Sequence, residues 1–189
     1  MRIISGSFKG KKILEPKDNI TRPLKDMVKE SIFNIINHSR KLNIDISDSC
    51  ILDLFSGVGS FGIECLSRGA KKVIFVENYN NVLPILKKNL NDLKTINNYK
   101  VLEFDIIKDF KSKIINEKFD VIFLDPPFKD RNLKEIINLI YKKNILKKFG
   151  IIIIHRHKKV YETLPDSLQI IDEKIYGLSK ITFLNFLNK

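Results

Sequence analysis

The 189-residue chain predicts an α/β fold: a doubly wound, mostly parallel sheet closed at one edge by an antiparallel hairpin. Three observations carry that expectation. Apolar runs of strand length ("CILDLF", "KVIFVE", "KVLEFD", "FDVIFLD" and "GIIIIH") alternate with helical stretches near 59–69, 79–94, 106–116 and 132–148. The runs are continuous rather than alternating, as strands covered on both faces should be. The tail changes pattern, and "SLQIIDEKIYG" and "KITFLNFL" read as two strands joined by a tight turn at Gly177.

The elements follow in order. Residues 2–5 and 11–14 read as short strands around "GSFKG", a hairpin. Arg22-Pro23 then opens a helix, with Leu24, Val28, Ile32 and Ile35 at helical spacing through about Leu42. The chain therefore divides into a basic hairpin-and-helix extension over 1–42 and a sheet domain over 43–189, without repeats or a low-complexity linker. Asn132 with Glu135 has the spacing of a capping box at the start of the 132–148 helix. The lysine-rich stretches at 87–94 and 142–148 read as solvated helix faces.

Bulk properties narrow the function. A hydrophobic fraction of 43% with 10% aromatics is too rich for disorder. No apolar run approaches the roughly 20 residues that span a bilayer, and "MRIISGSFKGKK" lacks the features of a secretory signal. Cys50 and Cys65 have neither metal-ligand spacing nor a disulfide framework, so a reduced, cytoplasmic protein is expected. The formal charge of +12 suits a polyanionic partner, nucleic acid first. A chain this dense in Lys, Ile and Asn can also owe its charge to coding bias, so placement says more than the total. The first twelve residues hold Arg2, Lys9, Lys11 and Lys12 and no acid.

Ligands of doubly wound sheets bind beyond the carboxyl ends of the strands, where strand order reverses. Four strand ends carry acids: Asp53, Glu77, Asp105 and Asp125. Between the first of these strands and its helix lies "DLFSGVGSFG", in which Gly57, Gly59 and Gly62 match G-x-G-x-x-G. Such a loop can cradle a dinucleotide, or it can be a tight turn that only lets helix and strand pack. Asp53 separates the cofactor classes. A carboxylate there repels a pyrophosphate, but it suits the ammonium of a methionine-derived cofactor. With Glu77 placed for a ribose and Asp105 for an adenine amine, the set fits S-adenosyl-L-methionine (AdoMet) better than NAD.

The stretch "FDVIFLDPPFKD" ends a strand on an acid, two prolines and a ring. Proline cannot donate to a sheet ladder, so Pro126 and Pro127 stop the strand and stiffen the turn. Read blandly, this is a surface turn. Beside a methyl donor, the carboxylate of Asp125 and the carbonyl of Pro126 can each accept one N–H of an exocyclic base amine and aim its lone pair at the methyl. Phe128 offers a face for stacking a flipped-out base.

"DLFSGVG", Glu77 and "DPPF" together resemble class I AdoMet-dependent amino-methyltransferases, whose sheet is Rossmann-like. "MRIISGSFKGKKI", "RPLKDMVKESIFNII", "DLFSGVGSFGIECLSRGA", "VIFVE", "FDVIFLDPPF" and the late "YG" resemble the RsmD family across almost the whole chain. The "SRGA" of Ser67–Ala70 and the N-terminal "RP" are its more specific marks. The resemblance implies methylation of the N2 amine of one guanine in bacterial small-subunit (16S) ribosomal RNA, as free RNA or in an assembling subunit, with no membrane and no metal. It implies that Asp53, Gly57, Gly59, Glu77 and Asp105, with Phe55 in the same loop, line the AdoMet site. It places Asp125, Pro126, Pro127 and Phe128 at the target amine, and the hairpin residues Arg2, Lys9, Lys11 and Lys12, with Arg22, against RNA.

The chain departs from the family at Phe128, where tyrosine is common, at Ser5 and Leu24, and in "HRH", where the fifth strand more often ends in an acid. His155 and His157 alternate on that strand without an evident third ligand and read as surface histidines. A DNA adenine-N6 methyltransferase shares the "DPPF" chemistry, although the chain has little length for a domain that reads sequence. A protein glutamine methyltransferase and a non-catalytic RNA-binding assembly factor are further functions compatible with these motifs.

Overall fold

Five of the apolar runs become parallel strands, and in all but the edge strand at residues 99–103 most residues have a hydrophobic layer to enter, on one face of the sheet or the other. The computed structural model describes residues 1–16, 24–94, 96–112, 117–127 and 130–187. In chain order these form α1 (Asp26–His38), β1 (Cys50–Leu54), α2 (Ser60–Ser67), β2 (Lys72–Glu77), α3 (Leu83–Asn91), β3 (Tyr99–Glu103), α4 (Ile106–Asp109), β4 (Phe119–Leu124), α5 (Leu133–Lys143), β5 (Leu146–His157), β6 (Leu168–Tyr176) and β7 (Ser179–Phe186). The seven-stranded sheet has the order β3-β2-β1-β4-β5-β7-β6. β1 to β5 are parallel, while β7 runs antiparallel to both β5 and β6.

Alternate strand residues serve opposite layers. Ile51, Val73, Phe75, Val121, Phe123, Ile151 and Ile153 pack against α1, α2 and α3. Leu52, Leu54, Ile74, Val76, Ile122, Leu124, Ile152 and Ile154 pack with residues of α4 and α5. Phe61 of α2 ties the first layer together, stacked between Phe33 of α1 at 5.4 Å and Phe123 of β4 at 4.1 Å. Burying one such ring contributes about 1.5–3 kcal/mol.

Several elements are shorter than their apolar patterns. α3 starts only at Leu83, with Pro84 in its first turn, where a missing N–H costs nothing. α5 stops at Lys143 because Asn144 adopts the left-handed conformation (φ 52°) that closes helices. β5 begins two residues later, so residues 146–148 are strand, and Lys147 pairs with Asp120 at 2.7 Å instead of lining a helix face. The capping box at Asn132 does not form: its side chain donates to Asp130 Oδ1 at 3.0 Å rather than capping α5. The N-terminal hairpin has a single antiparallel bridge, Arg2 to Lys12, and no paired strands, because α2 takes its next backbone donors. Arg22, Pro23 and the start expected for the first helix lie outside the described residues.

The strand order reverses between β1 and β4. From β1 the chain adds β2 and β3 on one side, and β4 then returns to the other side of β1. Their carboxyl ends are in register, Leu54 opposite Leu124, and the Asp125 amide reaches the Leu54 carbonyl at 3.4 Å. Asp53 and Asp125 thus flank the crevice where such sheets bind ligands.

Candidate active site

Asp53 is 1% exposed near the end of β1, and its Oδ2 accepts the Gly62 amide at 3.0 Å. Its Oδ1 is buried and has no hydrogen-bond partner among the described residues. Burial pushes this carboxyl well above the usual carboxylate range. The Gly62 hydrogen bond opposes the shift, and the neighbouring charges of Asp125 and Glu77 add to it. An unpaired, buried carboxylate oxygen is costly unless a donor completes it, and a cationic ammonium is the donor that suits it best.

The glycine loop around Asp53 is held rather than loose. Gly57 (φ 55°) and Gly59 (φ 86°) are left-handed, and a Cβ on Gly59 would lie 2.6 Å from Leu86 Cδ1. Gly62 lets α2 close on β2, since a Cβ there would come 2.3 Å from the Phe75 ring. Phe55 is also left-handed (φ 59°), a conformation that costs a non-glycine residue ~1 kcal/mol or more. Glu77 binds this loop to its own: Oε2 accepts Gly57 N–H at 2.7 Å, and Oε1 accepts the amides of Asn78 and Tyr79 at 2.9 Å. Asp105, at the end of β3, caps α4 through Oδ1, which accepts from Ile107 and Lys108 at 2.9 and 3.2 Å.

Across the crevice, two β5 residues grip the segment after β4. His155 Nδ1 lies 2.8 Å from Asp125 Oδ1, and its Nε2 lies 2.9 Å from Ser179 Oγ. His155 is 7% exposed, so the reading of it as a surface histidine is wrong: the parallel register of β4 with β5 carries it inward to the acid. Arg156, 3% exposed, donates through one guanidinium nitrogen to the carbonyls of Pro126 and Pro127 at 3.1 and 2.8 Å. Its other terminal nitrogen reaches the Asp130 carbonyl at 2.6 Å and pairs with Glu162. The planar fork thereby fixes three carbonyls of the turn; that of Pro127 also accepts the Asp130 amide at 2.8 Å, whereas that of Pro126 keeps a second lone pair. Phe128 lies outside the described residues. Among the described residues no group of acids, histidines and cysteines could hold a metal ion.

The N-terminal segment packs on α2, with its turn seated at the carboxyl end of that helix. Glu64, wholly buried, accepts the amides of Ile4 and Ser5 at 2.7 and 2.9 Å and the Arg68 guanidinium at 2.8 Å. Ser67 Oγ donates to the Ser5 carbonyl at 2.6 Å and accepts the Phe8 amide at 3.0 Å. Gly6 lies so close that a Cβ would fall 1.8 Å from the Ser67 carbonyl oxygen. The "SRGA" stretch is therefore the seat of the "GSF" turn. Lys29 of α1 completes the clasp, donating to the Arg2 carbonyl at 2.7 Å from a fully buried position. Of the basic residues, Arg2, Lys9 and Lys12 are exposed, whereas Lys11 donates to the Asp92 carbonyl and lies 5.7 Å from the centre of the Phe8 ring.

His155, Arg156, Glu64, Ser67 and Lys29 are the participants that sequence reasoning did not assign. The signals were present: "HRH" breaks off an apolar strand with ionisable residues at the rim, and Glu64 interrupts the apolar run "FGIECL".

The family described as conserved hypothetical protein 95 matches residues 1–185. The "Putative rRNA methyltransferase YlbH" of Bacillus subtilis is 36% identical over 184 residues, 96% of both chains. The "Ribosomal RNA small subunit methyltransferase D" of Haemophilus influenzae is 36% identical over 179 residues, 94% of this chain and 90% of the relative. Among solved structures, a "Putative methyltransferase" from Escherichia coli superposes with a TM-score of 0.83 at 29% identity, covering 98% of this chain and 97% of the other.

Proposed function

We propose, because this chain belongs to the conserved hypothetical protein 95 family (the RsmD family), that it methylates ribosomal RNA, with AdoMet as donor and the exocyclic N2 amine of a small-subunit guanine as acceptor. The observation that carries the reading is the pairing of two acids across the switch point between β1 and β4. Asp53 has a buried oxygen with no hydrogen-bond partner among the described residues, which suits a cation, and Asp125 is held at the mouth of the crevice.

When bound, AdoMet supplies an electrophilic methyl on a sulfonium. The chain's residues then divide the work. Asp53 Oδ1 would accept from the ammonium, the Gly57–Gly59 turn and Phe55 would shape the loop against the cofactor, and Glu77 and Asp105 would hold its ribose and adenine. Glu77 has lone pairs left after its three backbone donors, and Asp105 Oδ2, which takes no part in capping α4, lies 3.9 Å from the exposed Lys108 ammonium. Asp125 and the Pro126 carbonyl accept the two N–H groups of the amine, so that its lone pair is released from the base ring and aimed at the methyl. On accepting the methyl the amine would carry a surplus proton, which the Asp125 carboxylate would take and pass to solvent. Pro127 and Arg156 keep these acceptors from moving. Residues 1–42 form the RNA-contacting extension, with Arg2, Lys9 and Lys12 on its exposed surface and Phe128 and Arg22 as further contacts to the base and the backbone.

Incubation of the protein and labelled AdoMet with small-subunit RNA and, in parallel, with DNA, followed by digestion to nucleosides, tests the reading. Label in N2-methylguanosine is expected. Label in N6-methyladenosine of DNA, or tight binding of NAD in calorimetry, would overturn it.

A further inference from the structure

We infer that His155, itself held by Ser179, is a positioning residue that fixes Asp125 for proton acceptance from the target amine. The inference rests on the methyltransferase reading above and deepens it, since nothing in that reading requires a histidine.

A carboxylate can only accept hydrogen bonds. The 2.8 Å contact between Asp125 Oδ1 and His155 Nδ1 therefore places the imidazole proton on Nδ1. Nε2 is then an acceptor, and the hydroxyl of Ser179, 2.9 Å away, is its donor. Each member of the chain has one role consistent with the next, so ring and carboxylate are held in a single orientation. With Oδ1 engaged, the second oxygen of Asp125 is left for the amine. The arrangement has the order of contacts of a nucleophilic Ser-His-Asp triad. Here the acid rather than the serine flanks the crevice, so the relay is built to hold the acid.

The fold explains how the support arises. His155 is on β5, beside β4, whose chain continues into Asp125. Ser179 opens β7, directly after the turn at Gly177 (φ 60°), and the antiparallel pairing of β7 with β5 sets it opposite His157 and next to the His155 ring. The tail hairpin thus does more than close the sheet edge. It supplies the outermost support of the catalytic acid.

The chain has three histidines, of which His38 is exposed, so imidazole signals of the full-length protein can be assigned by substitution. In 15N-histidine spectra without cofactor, His155 should show the Nδ1–H tautomer and should shift in both Asp125→Asn and Ser179→Ala. A His155 that averages between tautomers and ignores both changes would overturn the inference.

With AdoMet and RNA saturating, His155→Ala should lower kcat by up to ~100-fold, the scale of a displaced reacting group, with the KM for AdoMet unchanged. His155→Asn, whose side-chain N–H can occupy the place of Nδ1–H, should recover most of that loss. Equal rates for wild type and His155→Ala would overturn the inference, as would an Asn variant no better than Ala. If the wild type itself transfers no methyl to RNA, the proposed function fails, and the tautomer experiment still decides whether His155 orients Asp125.

Discussion

Lys29 and Glu64 lie 3.6 Å apart with both side chains fully buried, joining α1 to α2 at the seat of the N-terminal turn. Burial pushes the Lys29 ammonium down, and the charges of Glu64 and Asp26 oppose that shift. The two partners are not equivalent. Glu64 also accepts two backbone amides and the Arg68 guanidinium, whereas Lys29 donates one further hydrogen bond, to Arg2. Glu64→Ala strands three donors and a buried cation and should cost ~3–5 kcal/mol, as when a buried pair loses one member. Lys29→Met leaves Glu64 with its other donors and should cost clearly less. Urea unfolding of both variants checks the asymmetry, and equal losses would contradict it.

In the function proposed above, Asp53 trades stability for cofactor binding. Its carboxyl is raised by burial above its ordinary value of 3.8. A group shifted this way contributes stability that is complete below its unfolded value and is lost as pH rises through its folded value. Asp53→Asn removes the charge without changing shape. It should raise the unfolding midpoint at neutral pH, flatten the decline in stability above pH ~4, and weaken AdoMet by about 1.5–3 kcal/mol. Thermal unfolding against pH, paired with calorimetry, reads all three. A variant that is less stable at neutral pH would argue against a buried charge at this position.

At Asp125 the expected signature is kinetic. Asp125→Ala should leave AdoMet affinity nearly intact while single-turnover methyl transfer falls ~100-fold or more, the scale of a lost, oriented polar group at the reacting centre. Arg156→Lys should have an intermediate effect, because an ammonium cannot reproduce the fork that holds the Pro126, Pro127 and Asp130 carbonyls together. Undiminished transfer by Asp125→Ala would remove it from the chemistry.

What the sequence made legible was governed by local pattern. "KVIFVE" is β2 to the residue, and the acids at Asp53 and Asp125 fall at the two strand ends where the sheet reverses, because continuous apolar runs and proline stops are short-range signals. The helix end at Lys143 was not legible, since Asn144 in a left-handed turn leaves no mark in a run of lysines. Nor was the burial of His155: its partners Asp125 and Ser179 are 30 and 24 residues away, and only the pairing of β5 with both β4 and β7 brings the three together. Glu64 is hidden for the same reason, with its amide partners sixty and fifty-nine residues upstream. Periodicity reports which face a residue takes, and a buried ionic contact depends on what the opposite element brings to that face.

The basic N-terminal segment divides into cations that the fold uses and cations that it leaves exposed. Lys11 is engaged by the Asp92 carbonyl and the Phe8 ring, so Lys11→Ala should lower stability modestly and say little about RNA. Arg2, Lys9 and Lys12 are exposed around a turn whose backbone is pinned by Glu64 and Ser67. A rigid turn carrying mobile cations suits phosphate contacts, which position a substrate without reading its bases. Replacing these three residues by Ala should therefore leave AdoMet affinity and unfolding unchanged and weaken RNA binding. Each lost contact should reduce the slope of log affinity against log salt by ~0.7 for single-stranded RNA, so the triple variant should flatten it by up to ~2 units. Filter binding across a salt series measures that slope. An unchanged slope with unchanged affinity would assign the segment to the fold alone and move the RNA surface elsewhere on the protein.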